Sequence, residues 1–142
     1  MQKKFKKNTF ASKRSVLIVE DDYISSLLFQ EYLKMENFHV LSAFTGKEAV
    51  SIIENNQNKI IIVLMDILMP EMNGVEAAKR IKKINHSIPI IAQTSQAYNL
   101  KNYDLSFFDS IITKPIDFKK LKQIVNKYAS GKRNYRLEME NY

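Results

Sequence analysis

The chain alternates between short apolar runs and segments in which apolar residues recur with the period of a helix. Five of the runs are rich in β-branched residues and predict buried strands. They are SVLIVE (15–20), FHVLSA (38–43), KIIIVLM (59–65), IPIIAQT (88–94) and SIITK (110–114). Parallel strands need crossover helices, and those crossovers are right-handed. The alternation therefore predicts an α/β fold with helices on both faces of a parallel sheet.

Residues that can accept hydrogen bonds from a first helical turn stand before four of the helical segments. Asp22, Asn73 and Asp117 are predicted helix caps. Thr45, with Glu48 three residues later, has the spacing of a capping box. Each of these segments thus has a predicted start.

The first helical segment has apolar residues at helical spacing, and we expect them to face the core. They are Ile24, Leu27, Leu28, Tyr32 and Met35. The segment 96–103, between the fourth and fifth strands, has poor apolar spacing and is interrupted by Asn and Tyr. A short or irregular helix is expected there.

Length and charge divide the chain into one domain and two tails. A chain of 142 residues can bury one core comfortably but not two. Residues 1–14 carry six bases and no acid, whereas residues 15–129 balance 13 bases against 13 acids. We expect 15–129 to fold as one domain between a basic N-terminal tail or linker (1–14) and a C-terminal tail (130–142). Because the folded part has no net charge, no nucleic acid is expected as a partner.

The absence of cysteine excludes disulfides, thiolate metal sites and a cysteine nucleophile. The basic N-terminus lacks the apolar segment of a secretory signal, and no apolar run is long enough to span a bilayer. We therefore expect a cytoplasmic protein without a membrane span.

Charged and hydroxyl side chains stand where the predicted strands end. Glu20 and Asp21 close the first strand, and Asp66 follows the third. The fourth strand ends at Thr94 and the fifth at Lys114. Ligands of open α/β sheets bind outside the carboxyl ends of the strands. We expect these five side chains to share that edge.

Three carboxylates at one edge, those of Glu20, Asp21 and Asp66, repel one another unless a cation is present. Mg²⁺ prefers one or two carboxylates, retained waters and phosphate oxygens. The predicted metal site consists of Asp21, Asp66 and a backbone carbonyl just after Asp66, that of Leu68. Glu20 would act through a water molecule.

The same edge has the groups that phosphoryl chemistry needs. The carboxylate of Asp66 can take a phosphoryl group and form an acyl phosphate. Lys114 supplies a positive charge for the phosphoryl oxygens, and the Thr94 hydroxyl can donate a hydrogen bond to one of them. Asp66 is therefore the predicted nucleophile.

Four motifs occur in an order and spacing that resemble a known family: VLIVEDD, LMDILMPEMNG, IIAQTS and ITKPID. The family is the receiver domain of bacterial two-component response regulators and hybrid histidine kinases, and the resemblance covers about residues 15–129. It implies a flavodoxin-like (βα)5 fold, which is a doubly wound parallel sheet with strand order 2-1-3-4-5.

Residue by residue, the resemblance implies a role for each member of the site. Asp66 matches the phosphoacceptor, Glu20 and Asp21 the acidic pair, Thr94 the switch hydroxyl, and Lys114 the lysine that contacts the phosphoryl group. The implied function is a phosphorylation-switched signalling domain that takes its phosphoryl group from a phosphohistidine in a Mg²⁺-dependent reaction. The implied partner is a sensor histidine kinase or a histidine phosphotransfer protein, and a receiver homodimer is a further option. Self-dephosphorylation would be its only other chemistry, so no enzyme is expected.

Two positions depart from the family pattern. Ile111 stands where the family has a switch aromatic, and Phe107 stands where glycine is common. An aliphatic side chain cannot swing a ring inward, so one alternative stays open: a pseudo-receiver interaction module that is not phosphorylated.

An aspartyl-phosphate phosphatase would carry a second Asp where Leu68 stands. Pro115 matches the family's proline after a cis peptide bond. A stand-alone regulator and the receiver of a hybrid kinase both fit the sequence.

Overall fold

The computed structural model describes residues 14–56, 59–95 and 97–130. Its regular elements run from Ser15 to Ala129. Apart from Arg14 and Ser130, the predicted tails at 1–14 and 130–142 lie outside the described residues. Within the described part of the chain, no helix has both the length and the apolar character needed to cross a membrane.

The sheet has five parallel strands in the order 2-1-3-4-5, which confirms the predicted topology. The strands are β1 (Ser15–Val19), β2 (His39–Ala43), β3 (Ile60–Asp66), β4 (Ile90–Thr94) and β5 (Ser110–Thr113). The chain runs from β1 outward to β2 and then returns to place β3 on the other side of β1. The strand order therefore reverses at β1 and β3, and the crevice at their carboxyl ends is the expected ligand site of such a sheet.

Four α-helices and one short 3₁₀ helix connect and cover the described strands. The α-helices are α1 (Tyr23–Met35), α2 (Gly46–Asn55), α3 (Gly74–Ile84) and α4 (Phe118–Ala129). The 3₁₀ helix spans Ala97–Asn102, which confirms that the segment between β4 and β5 is short and irregular. Residue 96, the first of the predicted segment, lies outside the described residues.

All four predicted helix caps are formed. Asp22, Thr45, Asn73 and Asp117 each accept a hydrogen bond from a backbone N–H of the following first turn. The carboxylate of Glu48 accepts from the N–H of Phe44, the residue before the cap, at 3.0 Å. Each cap satisfies donors that the first turn of a helix leaves without an intrahelical partner.

The sheet separates two hydrophobic cores. Leu17 and Val19 pack in the core that contains side chains of α2 and α3, whereas Val16 and Ile18 pack in the core that contains side chains of α1 and α4. This alternation follows from the two-residue period of a strand. Consequently, the position of a residue along its strand decides which face of the sheet its side chain occupies.

The predicted buried face of α1 is wrong except at Tyr32, which packs partly buried against the core. Ile24, Leu28 and Met35 are 62%, 58% and 79% exposed, and the helix buries Phe29 and Leu33 instead. Phe29 and Leu33 are four residues apart, so they form one stripe that packs on the sheet and on α4. The helix has more apolar residues than one face can hold, and the second set remains on the surface.

Candidate functional site

Asp66 lies at the carboxyl end of a strand that is buried along its whole length. The apolar residues of β3 hold it between the two helical layers, and the residue is 5% exposed. Glu20 directly follows β1 and is 1% exposed. Because Val19 pairs with Met65 across the β1–β3 ladder, Glu20 comes next to Asp66 at the same edge. The sequence thus buries two carboxylates side by side.

Asp21 and Lys114 complete the cluster. One carboxylate oxygen from each of Glu20, Asp21 and Asp66 lies within 4.8 Å of the others. The Nζ atom of Lys114 donates to Oε2 of Glu20 at 2.9 Å and lies 3.6 Å from Oδ2 of Asp66. The predicted grouping of these four residues is therefore observed, with three acids facing one base.

The turn after β3 is held close to Asp66. The N–H of Leu68 donates to Oδ1 of Asp66 at 3.3 Å, and the N–H of Gly74 donates to the Ile67 carbonyl at 2.8 Å. A Cβ atom on Gly74 would lie 2.2 Å from the Asp66 carbonyl oxygen. Only glycine allows α3 to begin this close to the main chain of Asp66.

Burial governs the ionisation of Asp66. Loss of solvation, helped by repulsion from Glu20 and only partly offset by Lys114, raises the pKa of the Asp66 carboxyl to about 7. Burial alone would lower the pKa of Lys114, but its hydrogen bond to Glu20 and the attraction of Asp66 outweigh this and raise it. A charged lysine and a carboxylate that resists ionisation thus share the site.

The chemistry of this donor set fits a hard divalent cation. With its three acids ionised and Lys114 protonated, the cluster has a net charge of −2, and two of the acids are buried. Carboxylate oxygens are the ligands that Mg²⁺ prefers in proteins. A divalent ion would relieve the repulsion that, together with burial, raises the Asp66 pKa, and the exposed Asp21 leaves a path for it to enter.

Thr94 and Lys114 stand at adjacent strand ends, as predicted. The main-chain N–H of Lys114 donates to the Thr94 carbonyl at 2.7 Å. Thr94 is buried and follows Gln93, the residue that pairs with Asp66 across the β3–β4 ladder. The Lys114–Pro115 peptide bond is cis, which confirms the expectation from the resemblance.

Gln93 is a buried polar residue beside the site that the sequence analysis did not single out. It is 3% exposed, pairs with Asp66 on one side and with Ile112 on the other, and belongs to the same face of the sheet as Asp66. The signal in the sequence was a single amide within the apolar run IPIIAQT. Its meaning depends on the strand register, which the sequence does not display.

An exposed apolar surface borders the site. The "α1 patch" consists of Tyr23, Ile24, Leu27 and Leu28, all on the first two turns of α1 and all exposed. The Tyr23 ring stacks on that of Phe44 after β2, with 6.2 Å between ring centroids. Because α1 begins two residues after Asp21, the patch lies directly beside the carboxylate cluster.

Comparisons with known proteins agree with this geometry. A sequence model of the response regulator receiver domain matches residues 16–126. A hybrid signal transduction histidine kinase of Dictyostelium discoideum is 34% identical over 122 residues, covering 80% of this chain and 7% of that protein. A cyclic di-GMP phosphodiesterase of Thermotoga maritima is 34% identical over 112 residues, covering 76% of this chain and 29% of that protein. The chain therefore spans less than a third of either relative.

Solved structures share the fold. A response regulator receiver domain protein of Clostridium thermocellum superposes with a TM-score of 0.76 at 24% identity, covering 84% of this chain and 96% of that one. The response regulator TrrA of Thermotoga maritima, solved in complex with Mg²⁺-BeF, gives 0.73 at 27% identity, covering 81% and 98%. Motifs, strand order and family match agree, and the chain belongs to the response regulator receiver domain family.

Proposed function

We propose that this receiver domain accepts a phosphoryl group on Asp66 from a phosphohistidine of a sensor histidine kinase or a histidine phosphotransfer protein, in a Mg²⁺-dependent reaction. One observation carries the proposal. Oxygens of Glu20, Asp21 and Asp66 lie within 4.8 Å of one another, and Lys114 contacts two of these acids. Such a concentration of negative charge is costly unless the site binds a cation, and a bound cation would in turn attract the oxygens of a transferable phosphoryl group.

The transfer step needs a nucleophile, a cation and a leaving group. A carboxylate oxygen of Asp66 attacks the phosphorus atom, the N–P bond of the donor histidine breaks, and its electrons stay with the imidazole. Mg²⁺, when bound, supplies positive charge to the transferring oxygens. We assign its ligands to Asp21, Asp66 and the main-chain carbonyl of Leu68, with Glu20 acting through a water molecule. The product is an acyl phosphate on Asp66.

Lys114 and Thr94 respond to the new charge. Lys114 already reaches Glu20 and Asp66, so a phosphoryl group on Asp66 falls within reach of its ammonium. The Thr94 side chain moves toward the phosphoryl group, and its hydroxyl donates a hydrogen bond to another phosphoryl oxygen. This movement of Thr94 is the switch. Ile111 is buried in the core under α2 and α3, so the switch works without an aromatic ring at that position.

The α1 patch is the docking surface for the phosphohistidine partner. A donor histidine must bring its phosphorus atom to Asp66, and its protein must then cover the surface next to the cluster. The α1 patch places four exposed apolar side chains there. Apolar anchors at the centre of an interface commonly provide most of its binding free energy. We therefore expect a partner with an apolar surface around its histidine.

Direct phosphorylation is the first test. The protein is mixed with Mg²⁺ and acetyl phosphate, and its intact mass is measured beside that of Asp66→Asn and beside a reaction with EDTA. We expect one added phosphoryl group in the wild type with Mg²⁺ and none in either control. If the wild type gains no mass and does not bind Mg²⁺, the proposal fails and the pseudo-receiver, an interaction module that is not phosphorylated, replaces it.

A further inference from the structure

Gln93 is a buried polar side chain for which the proposed function has no role. It is 3% exposed, and its Nε2 atom has no hydrogen-bond partner among the described residues. An amide buried without a partner destabilises the folded state, and native proteins rarely retain one without a reason. The position of Gln93 in the sheet indicates what the reason is.

Gln93 lies in a row of residues that crosses the sheet beneath the site. The ladders place Glu20 beside Asp66, Asp66 beside Gln93, and Gln93 beside Ile112. Directly paired residues on one face have Cβ atoms about 5 Å apart, so the amide of Gln93 starts next to the carboxylate of Asp66. Gln93 is thus the third polar member of this row.

The side chain of Lys114 extends across the carboxyl end of this row. It follows β5, yet its Nζ atom reaches Asp66 on β3 and Glu20 after β1, so its side chain must cross β4. The residue of β4 that faces the same side at this level is Gln93. Gln93 is therefore a buried residue of the strand that the lysine side chain crosses to reach Asp66.

We propose that Nε2 of Gln93 donates a hydrogen bond to the phosphoryl group carried by Asp66, so that the buried donor gains its partner only in the phosphorylated state. This inference rests on the proposed function. The bare carboxylate already contacts the N–H of Leu68 and Lys114. A phosphoryl group adds three strong acceptor oxygens beyond that carboxylate, within range of a neighbouring amide.

The test compares Gln93→Met with the wild type. Methionine has a similar length and volume but donates no hydrogen bond. Beryllofluoride with Mg²⁺ serves as the phosphoryl mimic, and its dissociation constant is measured by calorimetry. We expect binding to Gln93→Met to be about 10- to 100-fold weaker, the usual effect of one hydrogen bond to a charged acceptor.

A second measurement separates this role from simple packing. Without Mg²⁺ and beryllofluoride, Gln93→Met should unfold at a urea concentration at least as high as the wild type, because the variant removes an unpaired buried amide. A lower urea midpoint would show that Gln93 has a partner in the unliganded fold, which overturns the inference.

Ser110→Ala is the matched control. Ser110 is buried on β5, its hydroxyl also has no hydrogen-bond partner among the described residues, and it lies at the opposite end of the sheet. Its removal should leave beryllofluoride affinity unchanged. Equal affinity of Gln93→Met and the wild type would refute the role of Gln93 alone. Failure of the wild type to bind would refute the proposed function, and the role of Gln93 with it.

Discussion

Asp66 meets two opposing requirements. As the proposed nucleophile it must be ionised, yet its burial and the neighbouring Glu20 raise its pKa to about 7. Lys114 compensates only part of this cost, because its closest contact, at 2.9 Å, is with Glu20 rather than with Asp66. The site thus retains electrostatic repulsion that a bound cation would relieve.

The pH dependence of folding stability should reveal this strain. The folded-state pKa of Asp66, about 7, lies above its ordinary value of 3.8, so the folded state retains a proton that the unfolded chain has lost. Its contribution to stability is full below about pH 4 and is lost as pH rises through 7. In EDTA, we expect Asp66→Asn to gain roughly 1–3 kcal/mol over the wild type between pH 5 and pH 8, measured by urea unfolding. A difference that does not change with pH would contradict the buried, repelled carboxylate.

Sequence reasoning located most of the site residues for a physical reason. Glu20, Asp66 and Lys114 stand at ends of apolar strands, and a charge at such a place is visible without knowing which strands are neighbours. Gln93 lies inside its strand, where a polar residue has no meaning until the register places it beside Asp66. The sequence therefore indicates the charges at the edge but not the neutral group beneath them.

At the scale of elements, α1 shows where pattern reasoning is insufficient. Its sequence has apolar residues on two sides, so helical period alone cannot decide which side meets the sheet. Tertiary packing determines which side is buried. Phe29 and Leu33 pack against the strands, and the ring centroids of Phe29 and Phe118 are 6.1 Å apart. The other helices have one dominant apolar stripe, and it faces the sheet: Ala78 of α3 and Val125 of α4 are buried.

The two sides of α1 should respond differently to substitution. Leu28→Ser on the α1 patch removes an exposed side chain, so unfolding free energy should change by less than about 0.5 kcal/mol. Phosphorylation by acetyl phosphate should be unchanged. Transfer from a phosphohistidine protein that phosphorylates the wild type should be about tenfold less efficient, as for loss of one interface anchor.

Phe29→Ala provides the contrast on the buried side of α1. Removing this ring leaves a cavity under the helix and should cost about 3–5 kcal/mol of unfolding free energy. Stability is measured by urea unfolding and transfer by the rate of phosphate loss from the donor. Leu28→Ser with undiminished transfer would exclude the α1 patch as the docking surface.

At the scale of the whole molecule, the charged groups at the two edges of the sheet differ in their balance of acids and bases. At the amino edge, Lys82 donates to Asp109 at 2.9 Å and to the Ile88 carbonyl at 2.7 Å, and Asp109 also accepts from the N–H of Ile90. One base and one acid are balanced there, and the contacts join α3, β4 and β5. At the carboxyl edge three acids share one lysine. The first arrangement stabilises the fold, whereas the second has excess negative charge that a proton on Asp66 or a bound cation would reduce.

Mg²⁺ should therefore stabilise the whole domain through the carboxyl edge alone. A ligand that binds only the folded state adds about 1–3 kcal/mol of unfolding free energy at roughly 10 to 100 times its dissociation constant. We expect this gain at pH 8 and a smaller gain at pH 5, where Asp66 is protonated. The measurement is urea unfolding with and without MgCl₂, with NaCl matching the ionic strength.

Asp21→Asn should lose most of the gain, because it removes a proposed ligand without disturbing the core. Lys82→Met should begin less stable yet keep the full response to Mg²⁺, since its contacts lie at the opposite edge. An equal response in Asp21→Asn and the wild type would mean that Mg²⁺ acts elsewhere on the protein, and that the carboxylate cluster does not bind it.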